Sequence, residues 1–361
     1  YAENTKISNS GDINTGNYLT NASIGIYANK KSEILNTNGN ISVGENGIAF
    51  YGDDSKINIL SGVFDVNKGS LIYAVNNTEV NYAADNVTLG DKIGMLLFDS
   101  KLNLNNKTIT VSDNGIGIDA QNTNSEIKNL GNLILGSNST GIYLYNYNAG
   151  PGSTIDGTIN ITGTNTSGII GVNSSITNTT DINSSSSESK GIILEIDSPG
   201  NYTLENNGIL NLTGENSIGI YGSVVDPSGI LDIKNNNEIK LGSSAGNNNM
   251  GIGIYGGQGT IIENNSKITG DNNTIGIYSL GGTVKHNDII DLGENSAGIY
   301  QSGGTGTVSA SAKIRTGDNN SIALYANKGA RLINNSSDIS VGENRIIGDS
   351  KDSGTQLINM G

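Results

Sequence analysis

Leu292-Gly293-Glu294-Asn295-Ser296-Ala297-Gly298-Ile299-Tyr300 recurs with small changes as Thr213-Gly214-Glu215-Asn216-Ser217-Ile218-Gly219-Ile220-Tyr221 and as Thr269-Gly270-Asp271-Asn272-Asn273-Thr274-Ile275-Gly276-Ile277-Tyr278. Each copy joins a corner of Gly and Asn, which tolerate positive φ, to a short strand. Anchored on its last residue, the unit can be followed through positions 27, 51, 73, 96, 119, 143, 170, 193, 221, 255, 278, 300 and 325. Nine of these thirteen are Tyr, and the others are Leu96, Asp119, Ile170 and Ile193. Most steps are 22 to 25 residues, too short for tetratricopeptide, ankyrin, kelch or WD40 units. Leucine-rich repeats share the length but need Leu-x-x-Leu-x-Leu, and no stretch here has a helical period.

The period fits one coil of a parallel β-helix. The residue before each anchor, from Ile26 and Phe50 to Ile299 and Leu324, is apolar every time. Strand alternation then turns that residue inward and the anchor outward. Stacking closes what no single coil can bury alone. The expected fold is therefore all-β, a right-handed parallel β-helix of about thirteen coils over residues 1–361. The hand is taken from the general preference for right-handed crossovers. The abrupt start at Tyr1 and the uncapped end at Gly361 suggest a segment of a longer chain.

Composition agrees with such a thin rod and narrows its partners. The chain has 51 Gly, 3 Pro, no Cys and no Trp, with only 15% charged residues. A formal charge of −14 argues against nucleic acid, whose binders cluster Lys and Arg on phosphates, and against unaided docking to an anionic membrane. The absence of Cys removes disulfides and thiolate metal sites. No apolar run is long enough for a membrane-spanning helix.

Three steps exceed the rest, and the surplus begins straight after the anchor: about 144–154, 194–202 and 222–230. The chain's three prolines, Pro151, Pro199 and Pro227, all fall there, at similar distances from their anchors. Equal offsets predict lateral loops at one corner, where solenoids carry binding sites. The candidate partner-binding residues are Tyr145, Tyr147, Pro151, Asp197, Pro199, Tyr202, Asp226 and Pro227. The external Tyr row has two readings, a platform for partners or a stack that stabilises the rod, and its length favours the second.

Catalytic chemistry finds little support. The one histidine, His286, cannot form a histidine-cluster metal site and is expected at a solvated β-corner. Gly348-Asp349-Ser350 is followed by Lys351, which breaks the serine-protease pattern. Gly256-Gly257-Gln258-Gly259 and Gly303-Gly304-Thr305-Gly306 lack the Asp of the Ca²⁺-binding nonapeptide. β-Helical polysaccharide-cleaving enzymes need close carboxylates, often with Arg, yet Arg occurs only at 315, 331 and 345. No cofactor is expected.

Gly-Glu-Asn-Ser-x-Gly-Ile-Tyr, in a Cys-free background rich in Asn, Ile, Lys and Tyr, resembles the passenger repeats of large fusobacterial type V autotransporter adhesins. The resemblance covers essentially all of the chain. It implies a passenger exposed at the cell surface and attached to the outer membrane through a C-terminal β-barrel outside this sequence. It also implies attachment to host cells and coaggregation with other oral bacteria. Partners of that kind are Gal/GalNAc-type host glycans or epithelial and immune receptor proteins. No ligand residue carries over. An adhesin segment is the leading expectation, a passive stalk the alternative, and a polysaccharide-degrading enzyme a minor third.

Overall fold

A computed structural model describes residues 1–17, 22–148, 154–246, 249–343 and 346–361, without the side chain at 346. Among them there is no helix; the chain is a parallel β-solenoid of about 14 turns. Its contacts gather into two compact units, Tyr1–Ile176 and Thr177–Gly361.

In the first unit the anchor-bearing face stacks Ala2–Glu3, Ile24–Asn29, Ile48–Asp53, Ser70–Val75, Ile93–Phe98, Ile116–Gln121, Thr140–Tyr145 and Ser167–Val172 in chain order. Anchor lies over anchor throughout: Tyr27 on Tyr51, Tyr51 on Tyr73, Tyr73 on Leu96, Asp119 on Tyr143. A second face runs from Lys6–Asn9 to Glu126–Lys128, and a third includes Val87–Leu89, Thr108–Val111, Asn132–Leu135 and Thr158–Ile161. In the second unit the anchor face runs from Lys190–Ile196 to Ile346–Ser350, again with parallel neighbours in register.

All thirteen residues preceding the anchors are buried, as alternation requires. The turn count exceeds thirteen because two end strands escape the motif. Tyr1 leads into Ala2–Glu3, which pairs with Ala28–Asn29, and Asp349 sits over Tyr325. Gly348-Asp349-Ser350 is thus an ordinary rung.

Polar groups that must lie inside are stacked on their own kind. In the first unit a row of hydroxyls, Ser32, Thr78, Ser100 and Ser125, each accepts a backbone N–H from the preceding coil at 3.2–3.4 Å. In the second unit buried asparagines form a ladder. Asn178 donates to Asn206, Asn206 to Asn235 and Asn235 to Asn264, each through Nδ2 to Oδ1 at 2.8 Å. Such a row satisfies buried amides that would otherwise carry a desolvation penalty.

His286 occupies the next rung of that ladder, which corrects the expectation of a solvated corner residue. It is fully buried, and Asn264 Nδ2 lies 3.1 Å from its Nδ1. A neutral ring with the proton on Nε2 accepts that bond; a protonated ring would set N–H against N–H. Burial lowers its pKa from 6.5 to about 4, against smaller raising effects of the Lys313 and Asp288 backbones. Its charged strand neighbours, Lys285 and Glu263, pair with each other on the outer side at 2.6 Å. Since the folded pKa lies below the unfolded one, the unfolded chain binds the extra proton between these values. Stability is therefore full above about pH 6.5 and falls as pH drops toward about 4, by about 3 kcal/mol in total. His286→Asn, which continues the ladder, should flatten that part of the pH profile relative to the parent chain in denaturant unfolding. Equal slopes for the two proteins would refute this role.

Candidate functional site

The insertions near 194–202 and 222–230 are extra lengths of paired strand, not the free loops that equal offsets suggested. Lys190–Ile196 and Ile218–Val224 are one residue longer than the usual six-residue anchor strand and pair to their ends, Ile196 on Val224. The return strands Gly200–Asn206 and Gly229–Asn235 pair over all seven residues. The reason is in the sequence between them. Ile196 and Leu231 are apolar at inward positions and fully buried, so the core simply extends outward between two rungs.

Two proline-containing corners cap the resulting ridge. In Asp226-Pro227-Ser228-Gly229, the Gly229 N–H donates to the Asp226 carbonyl at 2.9 Å, and the Ser228 N–H donates to Asp226 Oδ1 at 2.7 Å. Asp first, Pro second and Gly fourth is the composition favoured by a tight β-turn. In the corner below, Tyr202 folds back: its hydroxyl is 2.8 Å from Ser198 Oγ and 3.4 Å from the Pro199 carbonyl. The Val225 N–H ties the upper corner to the Ile196 carbonyl at 2.7 Å.

Asp197, Pro199 and Pro227 are exposed, Asp226 and Tyr202 half-exposed. The sequence reading missed the ridge's main apolar groups, Val225 at 72% exposure and Ile230 at 43%. Their signal was an apolar residue where alternation calls for a polar one. The next coil is shorter, so the ridge overhangs it. A pocket of about 210 Å³ forms there, lined by Val224, Val225, Asp226, Pro227, Gly229, Gln258 and Gly259. Gly259 has φ +74°, and an added Cβ would stand 3.1 Å from Val224 Cβ.

The insertion at 144–154 belongs to the first unit. Pro151 falls outside the described residues. Tyr145 is 39% exposed on the outer face beside Gln121 and Val172. Tyr147 is corrected from binding residue to core residue: it is 1% exposed, and burial is the main cause raising its hydroxyl pKa to about 12. Its own N–H donates to Ser174 Oγ at 3.0 Å, holding it as an inward rung member.

The Tyr row resolves into separate stacks. In the first unit Tyr1 stacks on Tyr27 at 5.2 Å between centroids, while Tyr51 and Tyr73 continue the row with rings tilted by 38° and 43° at 5.1 and 6.4 Å. In the second, Tyr221, Tyr255, Tyr278, Tyr300 and Tyr325 follow one another at 4.6–5.6 Å, most of them nearly coplanar. Ring faces within a stack are covered by neighbouring rings, leaving edges and hydroxyls to solvent. A ring face covered by a neighbouring ring offers a sugar nothing to stack on, and most of the faces in the second row are covered in this way. An apolar groove of about 610 Å³ runs beside the second stack, lined by Ile252, Ile275, Leu280 and Ile322 with the tyrosines.

Among the described residues no group of three or more His, Cys, Asp or Glu is placed to hold a metal ion. No family model, curated protein or solved structure matches the chain. The class defined by its fold is the parallel β-solenoid, with a two-rung ridge as its most distinctive surface. Gly259→Ala should lower stability by about 1–2 kcal/mol, because it combines a positive φ with a close contact. Denaturant unfolding checks this, and an unchanged midpoint would contradict the close packing under the ridge.

Proposed function

We propose that this chain is part of the surface-exposed passenger of a bacterial outer-membrane adhesin, and that it binds a host-cell or bacterial partner through the ridge at 194–202 and 222–230. The observation that carries this reading is the exposure of Val225 and Ile230 on a paired, proline-capped ridge. An isolated exposed apolar residue means little. Two on a rigid projection beside a pocket supply apolar area that needs little ordering on docking. A protein receptor fits this apolar ridge better than a glycan, since the tyrosine faces are occupied within their stacks. The resemblance to fusobacterial passengers supports the surface setting, with Gal/GalNAc glycans and epithelial or immune receptors as the partner classes to test.

The stalk reading draws on a different observation. The stacked tyrosines and the buried asparagine ladder both strengthen a rod without offering a ligand anything. The two readings separate in one experiment. The purified chain is applied to epithelial cells, immune cells and oral bacteria, with and without galactose or GalNAc, beside a Val225→Asp/Pro227→Ala double variant. Binding that falls at least tenfold in the variant, with an unchanged unfolding midpoint and no sugar competition, is the expected result. Equal binding by the variant would remove the ridge as the contact, and no binding by the parent chain would leave the stalk.

A further inference from the structure

We propose that the second face of the first unit is a self-complementary surface through which two copies of this chain pair antiparallel. The inference does not depend on the ridge or on any receptor.

Its basis is one row of side chains. Lys6, Glu33, Lys56, Glu79, Lys101 and Glu126 stand directly over one another on successive coils. Their strand neighbours Ile34, Ile57, Val80, Leu102 and Ile127 are buried, so the charged row faces outward. The signs alternate without a break along all six positions. Alternation has a local cause: in-register stacking at about 4.8 Å would otherwise set like charges side by side. Neighbours pair at 3.2 Å for Lys6–Glu33, 3.6 Å for Lys56–Glu79 and 3.8 Å for Lys101–Glu126. Pairs this exposed add little stability. Lys6, Lys56, Glu79 and Lys101 are 49–67% exposed and open to a second partner, whereas Glu33 also accepts from Asn58 and Glu126, 17% exposed, is held more closely by Lys128 at 2.8 Å.

An alternating row with an even number of members reads with opposite sign from its two ends. A two-fold axis parallel to the strands, passing between the Lys56 and Glu79 rungs, therefore sets Lys6 opposite Glu126 of the second copy. It likewise sets Glu33 opposite Lys101 and Lys56 opposite Glu79. The parallel outer row of Ser8, Leu35, Asn58, Asn81, Asn103 and Lys128 meets itself without conflict. Asn58 faces Asn81, and Lys128 faces Ser8. An axis along the row would oppose every charge to its own copy, so only the antiparallel arrangement works. This is the residue-to-residue reciprocity of an isologous dimer. A groove of about 480 Å³ along the row, lined by Glu33, Lys56, Glu79, Lys101 and Glu126 among others, leaves room for facing side chains. The row carries no net charge, so it offers no general attraction to a polyanion or polycation. Six rungs of three- to four-residue strands make a face of only about 24 Å by 12 Å, roughly 300 Å², well below the roughly 800 Å² per partner of a stable complex. The pairing is accordingly weak and reversible.

The test uses the full chain and an inverted variant, Lys6→Glu, Glu33→Lys, Lys56→Glu, Glu79→Lys, Lys101→Glu and Glu126→Lys. Three charges change each way, so net charge and internal alternation are preserved. Each protein should self-associate in concentration-dependent sedimentation. In a mixture of differently labelled proteins, parent–variant energy transfer should fall at least fivefold below parent–parent transfer, because every facing pair becomes like-charged. A second variant with all six residues changed to Gln, folded by circular dichroism, should remain monomeric. A parent chain that stays monomeric at all concentrations, free mixing of parent and inverted chains, or a dimeric Gln variant would each overturn the proposal.

Discussion

Everything in this protein depends on parallel strands stacked in register, so that each side chain meets its counterpart one coil away at about 4.8 Å. That constraint sorts residues by what they do when placed on themselves. Ile over Ile closes the core. Asn over Asn passes a hydrogen bond along the stack, as from Asn178 to Asn264. Tyr over Tyr offsets and stacks. Charge over like charge is unfavourable, so Lys and Glu alternate from Lys6 to Glu126. In the second unit, Glu205, Lys234, Glu263 and Lys285 follow the same rule.

Exceptions to the rule mark places with their own chemistry. His286 ends the asparagine ladder; Val308, apolar and buried, takes the next rung. It can stand in the row only while neutral. Asp119 stands between Leu96 and Tyr143 at an anchor position, where both amide contacts of Gln121 fall at 3.1 Å from its carboxylate oxygens. Burial there raises its pKa, while the Gln121 contact lowers it to a smaller extent. The ridge is an exception of length instead. Its two rungs carry one additional residue in each outgoing strand, and their return strands have seven residues where Thr283–His286 has four. The inward residues Ile196 and Leu231 keep those positions attached to the core.

The same stacking explains why the tyrosines and the ridge part company. A row of identical aromatic rings gives up its faces to its own neighbours, whatever lies outside. A ridge only two rungs deep has no further rung to cover Val225 and Ile230. For apolar and aromatic side chains, depth of stacking separates surface covered by the next rung from surface left exposed.

The repeat alone determined the fold class, the inward row from Ile26 to Leu324 and the outward anchors, because period and alternation are local properties of a strand. It also located the irregular coils from the length of their steps. Whether a surplus residue leaves as a loop or joins a longer strand was decided only by tertiary structure. That outcome depends on whether the adjacent coil is lengthened too, as Gly200–Asn206 and Gly229–Asn235 are together. Tyr147 and His286 were misplaced for the same reason: a residue at a corner goes in or out according to which neighbour one coil away its backbone or ring can meet. Ser174 Oγ accepts the Tyr147 backbone N–H, and Asn264 meets the His286 ring. They lie 27 and 22 residues along the chain, in contact only because the coil returns.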